Sequence, residues 1–144
     1  MDSFKRDISL NLTRTDNNDI LVRDTLKDRF HDIVLEVIVD HRNLNIKDIR
    51  VEFERAPTRY CQNLGERLKG LIGTPVKKGL TRKIFEVTGG GEGCGNIRNM
   101  LLASLPLVLN LTAGAGIDDE EALLAKIEEE LEGTCIGYTK PKNM

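Results

Sequence analysis

The chain contains no tryptophan and only 4% aromatic residues, so it lacks the stacking platforms that single-stranded nucleic-acid binders place under successive bases. It has no excess of one charge either. Acids number 23 and bases 21, a net −2, which leaves no bulk positive field for a nucleic-acid backbone. Long apolar runs are missing. The longest, 100–111, is interrupted by Ser104, Pro106 and Asn110; it is too short to span a bilayer and reads as a buried helix. The opening residues 1–7 show no apolar stretch and no cleavage site, which argues against a secretory signal. The three cysteines, Cys61, Cys94 and Cys135, are an odd number lying far apart, so they cannot all pair within one chain. These absences predict a cytoplasmic protein with reduced thiols that binds neither nucleic acid nor membrane.

What is present suits one ordinary domain. A chain of 144 residues, 40% hydrophobic and 31% charged, can bury enough surface to fold without disulfides or metal, and no repeat or linker divides 1–144. Residues 8–12 alternate apolar and polar as a half-buried strand does, and the turn cluster 16–19 lets 20–26 return antiparallel to it. The clearest strand is 31–40, with Ile33, Leu35, Val37 and Val39 on one face. Residues 46–54 repeat the pattern through Ile49, Val51 and Phe53. The expected fold is α+β: an antiparallel β-sheet meander of about four strands, with helices packed mainly on one face.

The spacing of Leu64, Leu68, Leu71 and Ile72 predicts a helix over 62–72, stopped by Gly73-Thr74-Pro75. Residues 79–87 fit strand or helix equally. A helix over 97–111 should kink or end near Pro106. Beyond it, 117–132 reads as an acidic amphipathic helix. Asp118 and Glu121 have capping-box-like spacing, Leu123, Leu124, Ile127 and Leu131 form its apolar stripe, and Gly133 stops it. That segment holds eight acids and one base, whereas 47–87 holds ten bases and five acids, so an acidic and a basic face are expected. The acidic helix offers a surface for a protein partner or a homo-oligomer.

The most distinctive segment is Thr88-Gly89-Gly90-Gly91-Glu92-Gly93-Cys94-Gly95-Asn96, where five glycines fall within seven residues. Such a backbone can take positive φ angles and approach a ligand closely. A helix starting near Cys94 would direct unpaired N–H groups at an anion, and the same field would make Cys94 more nucleophilic and a better metal ligand. A small anionic ligand is therefore expected at Gly90, Gly91, Gly93, Cys94, Gly95 and Asn96, with Arg82 as cationic partner. The loop lacks both the Lys-Ser/Thr ending of a P-loop and the G-x-G-x-x-G spacing, so nothing names a nucleotide cofactor. The catalytic candidates are Cys94 and His31, which would form a nucleophilic pair only if the fold brings them together. His31 and Asp32 are strand neighbours and should face opposite ways; His41 falls in a turn and should face solvent. No C-x-x-C pair signals a metal site, and the alternative ligand set is Cys61, Cys94 and Cys135.

Two resemblances bear on this loop. Three dispersed cysteines with one in a Gly-Cys-Gly tripeptide, here Gly93-Cys94-Gly95, are similar to iron–sulfur scaffold proteins. Thr134 precedes Cys135 where that scaffold has histidine, and Cys61 lacks its following Gly-Asp. Phe30-His31-Asp32-Ile33-Val34-Leu35-Glu36-Val37, then Ala56-Pro57 to Cys61, then Gly79-Leu80-Thr81-Arg82-Lys83 with Gly89-Gly90 and Gly93-Cys94, resemble domain-of-unknown-function family 2889 over about residues 8–110. The resemblance singles out Cys61, Cys94, His31, Asp32 and Arg82 as the polar or reactive positions that fit the family pattern, and names no reaction. Where that family shows Gly-Cys-Thr-His, this chain has Gly93-Cys94-Gly95-Asn96.

Overall fold

Alternating apolar and polar side chains build four strands in succession: β1 (Asp7–Arg14), β2 (Ile20–Lys27), β3 (Asp32–Val39) and β4 (Ile46–Arg55). The structure is a computed structural model and describes residues 1–142. The strands pair antiparallel in the order β1-β2-β3-β4, the expected meander. Asn18 at φ 67° makes the first turn, a conformation that asparagine tolerates better than most residues. One sheet face carries Ile20, Val22, Leu26, Ile33, Leu35, Val37, Val39, Ile46 and Ile49, each at most 2% exposed. The opposite face carries Arg23, Glu36 and Arg50, where Arg50 donates to Glu36 at 2.8 Å.

Helices cover the apolar face. The segment expected as one helix over 62–72 is three short pieces: a 3-10 turn (Arg59–Asn63), α1 (Leu64–Leu68) and a second 3-10 turn (Lys69–Leu71). Gly65 and Gly70 weaken a continuous helix there. Leu64, Leu68 and Leu71 are buried as expected, but the backbone turns extended at Ile72 and leaves that side chain 44% exposed. The ambiguous segment is helical, α2 (Leu80–Thr88), entered through Gly79 at φ 101° and buried along Leu80, Ile84, Val87 and Thr88. Next come α3 (Gly95–Ser104) and α4 (Leu107–Ala113), separated at Leu105-Pro106 where proline removes an amide donor. Ile97, Met100, Leu101, Leu105 and Val108 complete the core.

Residues 1–108 form one compact unit, and 109–142 form another. In the second, α5 (Glu120–Glu130) is the acidic helix, and its cap is Asp119, one residue later than expected, accepting from the Ala122 amide at 2.8 Å. The anticipated apolar stripe is only partly realised. Leu123, Ile127 and Leu131 are half-buried, and Leu124 is 57% exposed because it stands outside their four-residue spacing. Gly133, at φ 77°, ends the segment as expected. Among the described residues no helix is long and apolar enough to cross a membrane.

Candidate functional site

The glycine-rich loop is the connection from α2 to α3, and its shape comes from closing on itself. The Cys94 amide donates to the Thr88 carbonyl at 3.0 Å, and the Gly93 amide donates to Gly90 at 3.2 Å. Gly90 has φ 71°, which favours glycine, and a Cβ on Gly93 would collide with the Thr88 carbonyl oxygen, so glycine is required there. Gly91 has open space around it. Cys94 is the residue before the first turn of α3 and makes no side-chain cap. The first amides of α3 therefore lack the side-chain acceptor that serine or aspartate would supply, and they carry the positive end of the helix dipole.

Beside this loop lies a pocket of about 580 Å³. Gly91, Glu92, Gly93 and Cys94 form one wall; Thr58, Tyr60, Cys61 and Arg67 stand in the segments facing it. Two of the three cysteines thus share one cavity, both as free thiols. Arg67 is the cation of the site. It donates to the Val87 and Glu86 carbonyls at the end of α2, and to Glu92 at 3.2 Å. It therefore caps one helix while reaching into the loop that starts the next. The Glu92 side chain is 86% exposed, so its ion pair with Arg67 is weak and open to exchange.

On its other flank the start of α3 is held by a polar network. Asp28, its side chain wholly buried, accepts from His31 Nδ1 at 2.9 Å and pairs with Arg6 at 2.8 Å. His31 Nε2 lies 3.4 Å from Asn96 Nδ2, and Arg6 donates to Asn96 Oδ1 at 3.0 Å. One hydrogen arrangement satisfies all four residues: Nδ1–H donates to Asp28, and Nε2 accepts from Asn96. Burial of Asp28 works to raise its carboxyl. The hydrogen bonds from His31, the Phe30 amide and Arg6 outweigh burial and hold the carboxyl well below the usual range.

A family model described as protein of unknown function (DUF2889) matches residues 4–109. The chain belongs to this family. No curated protein and no solved structure matches it. The DUF2889 match contains the sheet, the loop and every residue of the pocket. Asn96, standing where the resemblance expects histidine, is the residue that meets His31 Nε2.

The other sequence candidates are dispersed. Arg82 does not line the pocket; its side chain is 89% exposed and sits 3.8 Å from Glu86, because its position on α2 is on the solvent side of the helix. The arginine that lines the pocket is Arg67, and only its place in the basic segment 47–87 hinted at this. His31 precedes β3 and pairs with Asp28, not with Asp32, and it is absent from the pocket wall. Cys135 is exposed in the second unit. Gly90, Gly95 and Asn96 belong to the loop and the first turn of α3 without lining the cavity.

Two polar features lie outside the site. Among the described residues, the group of three metal-capable side chains that converges is Asp19, Asp40 and His41, with ligand atoms within 4.8 Å of one another. Protein cations already occupy it. Lys47 and His41 bond Asp19 and hold its carboxyl well below the usual range, while Arg42 lowers Asp40 to about 2. His41 is exposed as expected, yet its ring is tied to Asp19. The second feature is Asp24, fully buried on the core face of β2 between Leu10 and Leu35. Neither of its carboxyl oxygens has a hydrogen-bond partner at bonding geometry, and nor does the buried Ser104 hydroxyl nearby. Burial pushes Asp24 up to about 6, against a smaller lowering influence from Ser104.

Proposed function

We propose that this member of the family is a cytoplasmic binding or accessory protein, and that the pocket beside the glycine-rich loop takes a small anionic ligand. The observation that carries the reading is the meeting, around one cavity of about 580 Å³, of Arg67 with the loop that ends at Cys94, the residue preceding the uncapped first turn of α3. Helix amides and a guanidinium suit the same ligand chemistry, a carboxylate or phosphate. The exposed Glu92 carboxylate pairs with this guanidinium at 3.2 Å. An arriving anion takes the place of Glu92 on Arg67, while Gly91 lets it approach the backbone. The apolar side chains of Phe53 and Leu64 in the same wall favour a ligand with a carbon body behind its charge.

A thermal-shift screen of carboxylic acids, phosphates and coenzyme A tests this reading. Binding at about 100 times the dissociation constant should raise Tm by several degrees. Glu92→Gln should bind the same ligand more tightly by several-fold, because the internal competitor is gone, and Arg67→Ala should lose the shift. Identical Tm values with every anion would overturn the reading.

The presence of both Cys61 and Cys94 in the lining of one pocket favours a second reading, in which the pocket supports cysteine chemistry or thiolate metal binding. Metal analysis of anaerobically purified protein and alkylation rates of Cys94 test it. Bound zinc or iron that Cys94→Ser removes, or alkylation faster than in the unfolded chain, would support it. A metal-free protein whose thiols react at unfolded-chain rates would remove it.

A further inference from the structure

The two edges of the sheet are built differently. The outer side of β4 begins under cover: Ile46 donates to the Thr74 carbonyl and accepts from Gly73, and Asn45 bridges to Pro75. Its pairing with β3 is interrupted by two register shifts. Lys47, Asp48, Arg50, Glu52 and Glu54 stud its length. Coverage, irregular pairing and charge are the devices by which sheets avoid joining edge to edge.

β1 has none of them along its central stretch, its charges Asp7 and Arg14 standing at the two ends. Its eight residues pair with β2 without a shift, and residues 8–13 contain no charge, proline or glycine. Among the described residues, no backbone bond other than those to β2 reaches residues 7–14. Its apolar face is also incompletely covered. Ile8 is 50% exposed and Leu10 and Leu12 are half-buried, whereas Leu26 and Val22, their neighbours on β2, are at most 1% exposed.

We propose that β1 is a pairing edge, and that a second copy of this chain adds to it antiparallel about a two-fold axis, joining two sheets into one. The sequence of the strand is what selects a second copy. With Leu10 on the axis, Ile8 stands opposite Leu12 of the second copy and Leu10 opposite its counterpart, so the apolar stripe continues across the junction. On the other face Ser9 stands opposite Asn11. Shifting this register by two residues in either direction keeps only two of the three apolar pairs. The junction is independent of the anion reading: no residue of β1 lines the pocket.

Sedimentation of the full chain tests the proposal. The expected species is a dimer of twice 16.1 kDa, in equilibrium with monomer. Ser9 and Asn11 are exposed, so the double variant Ser9→Lys/Asn11→Lys leaves the core untouched while setting lysine against lysine across the axis. It should be monomeric with an unchanged circular dichroism spectrum, and so should Ser9→Glu/Asn11→Glu. An equimolar mixture of the two should recover the dimer, because each lysine then meets a glutamate. A wild-type chain still monomeric at about 100 μM would overturn the proposal. So would a dimer that the lysine variant leaves intact, or a mixture that fails to pair.

Discussion

Asp24 shows how one residue sets a pH dependence. Its carboxyl is buried without a hydrogen-bond partner, and its folded value is raised from 3.8 to about 6. The folded state therefore holds this proton more tightly than the unfolded chain does. The stabilisation is fully present below 3.8 and is lost as pH rises through 6, a change of about 3 kcal/mol. Asp19 and Asp28 act with the opposite sign, but their carboxyls are held low, so their contribution falls away only below the unfolded value of 3.8. Denaturant unfolding between pH 4 and 7 should thus show stability falling with pH. Asp24→Asn should flatten that slope and leave the protein more stable than wild type at pH 7. An unchanged slope in the variant would contradict the assignment. Asp24 was visible in the sequence only as a break in the apolar series Ile20, Val22, Leu26; that it is buried depends on α3 lying over β2.

At the scale of elements, the sheet was legible because its signal is local. Residues 31–40 and 46–54 alternate with period two, and the sheet follows the alternation. Helix boundaries were less legible where glycines interrupt them, as Gly65 and Gly70 do, and where packing decides exposure, as at Leu124. The glycine-rich loop was legible as a loop but not in its cause. Gly93 is required because the chain folds back onto the Thr88 carbonyl, a contact that no spacing rule reveals. Arg67 was missed for a related reason: its partners, the Glu86 and Val87 carbonyls, are backbone atoms 19 and 20 residues away. Gly93→Ala should open the loop and abolish ligand binding, at a stability cost of about 2–4 kcal/mol for the displaced backbone. Gly91→Ala, with nothing within 4 Å of the added methyl, should change stability by under about 0.5 kcal/mol. Thermal melts of the two variants check this contrast, and equal losses would contradict it.

For the whole molecule, the near-neutral composition conceals a basic segment at 47–87 and an acidic one at 117–132. The family match over 4–109 and the compact unit over 1–108 nearly coincide, and the pocket lies entirely within them. The acidic helix α5 lies beyond both. A chain ending at residue 116 should therefore keep the circular dichroism of the sheet and the ligand-induced rise in Tm. Loss of both would show that the second unit is needed for the first to fold. The most direct test of the proposed anion site is an amide-resolved magnetic resonance titration of the isotope-labelled full chain with phosphate, a carboxylic acid and coenzyme A. At least one ligand should shift the amides of Gly91, Gly93, Cys94, Gly95 and Asn96 together with the Arg67 guanidinium, and leave β1 unmoved. Saturating ligand that shifts none of these amides, or shifts only residues away from the loop, would contradict the account.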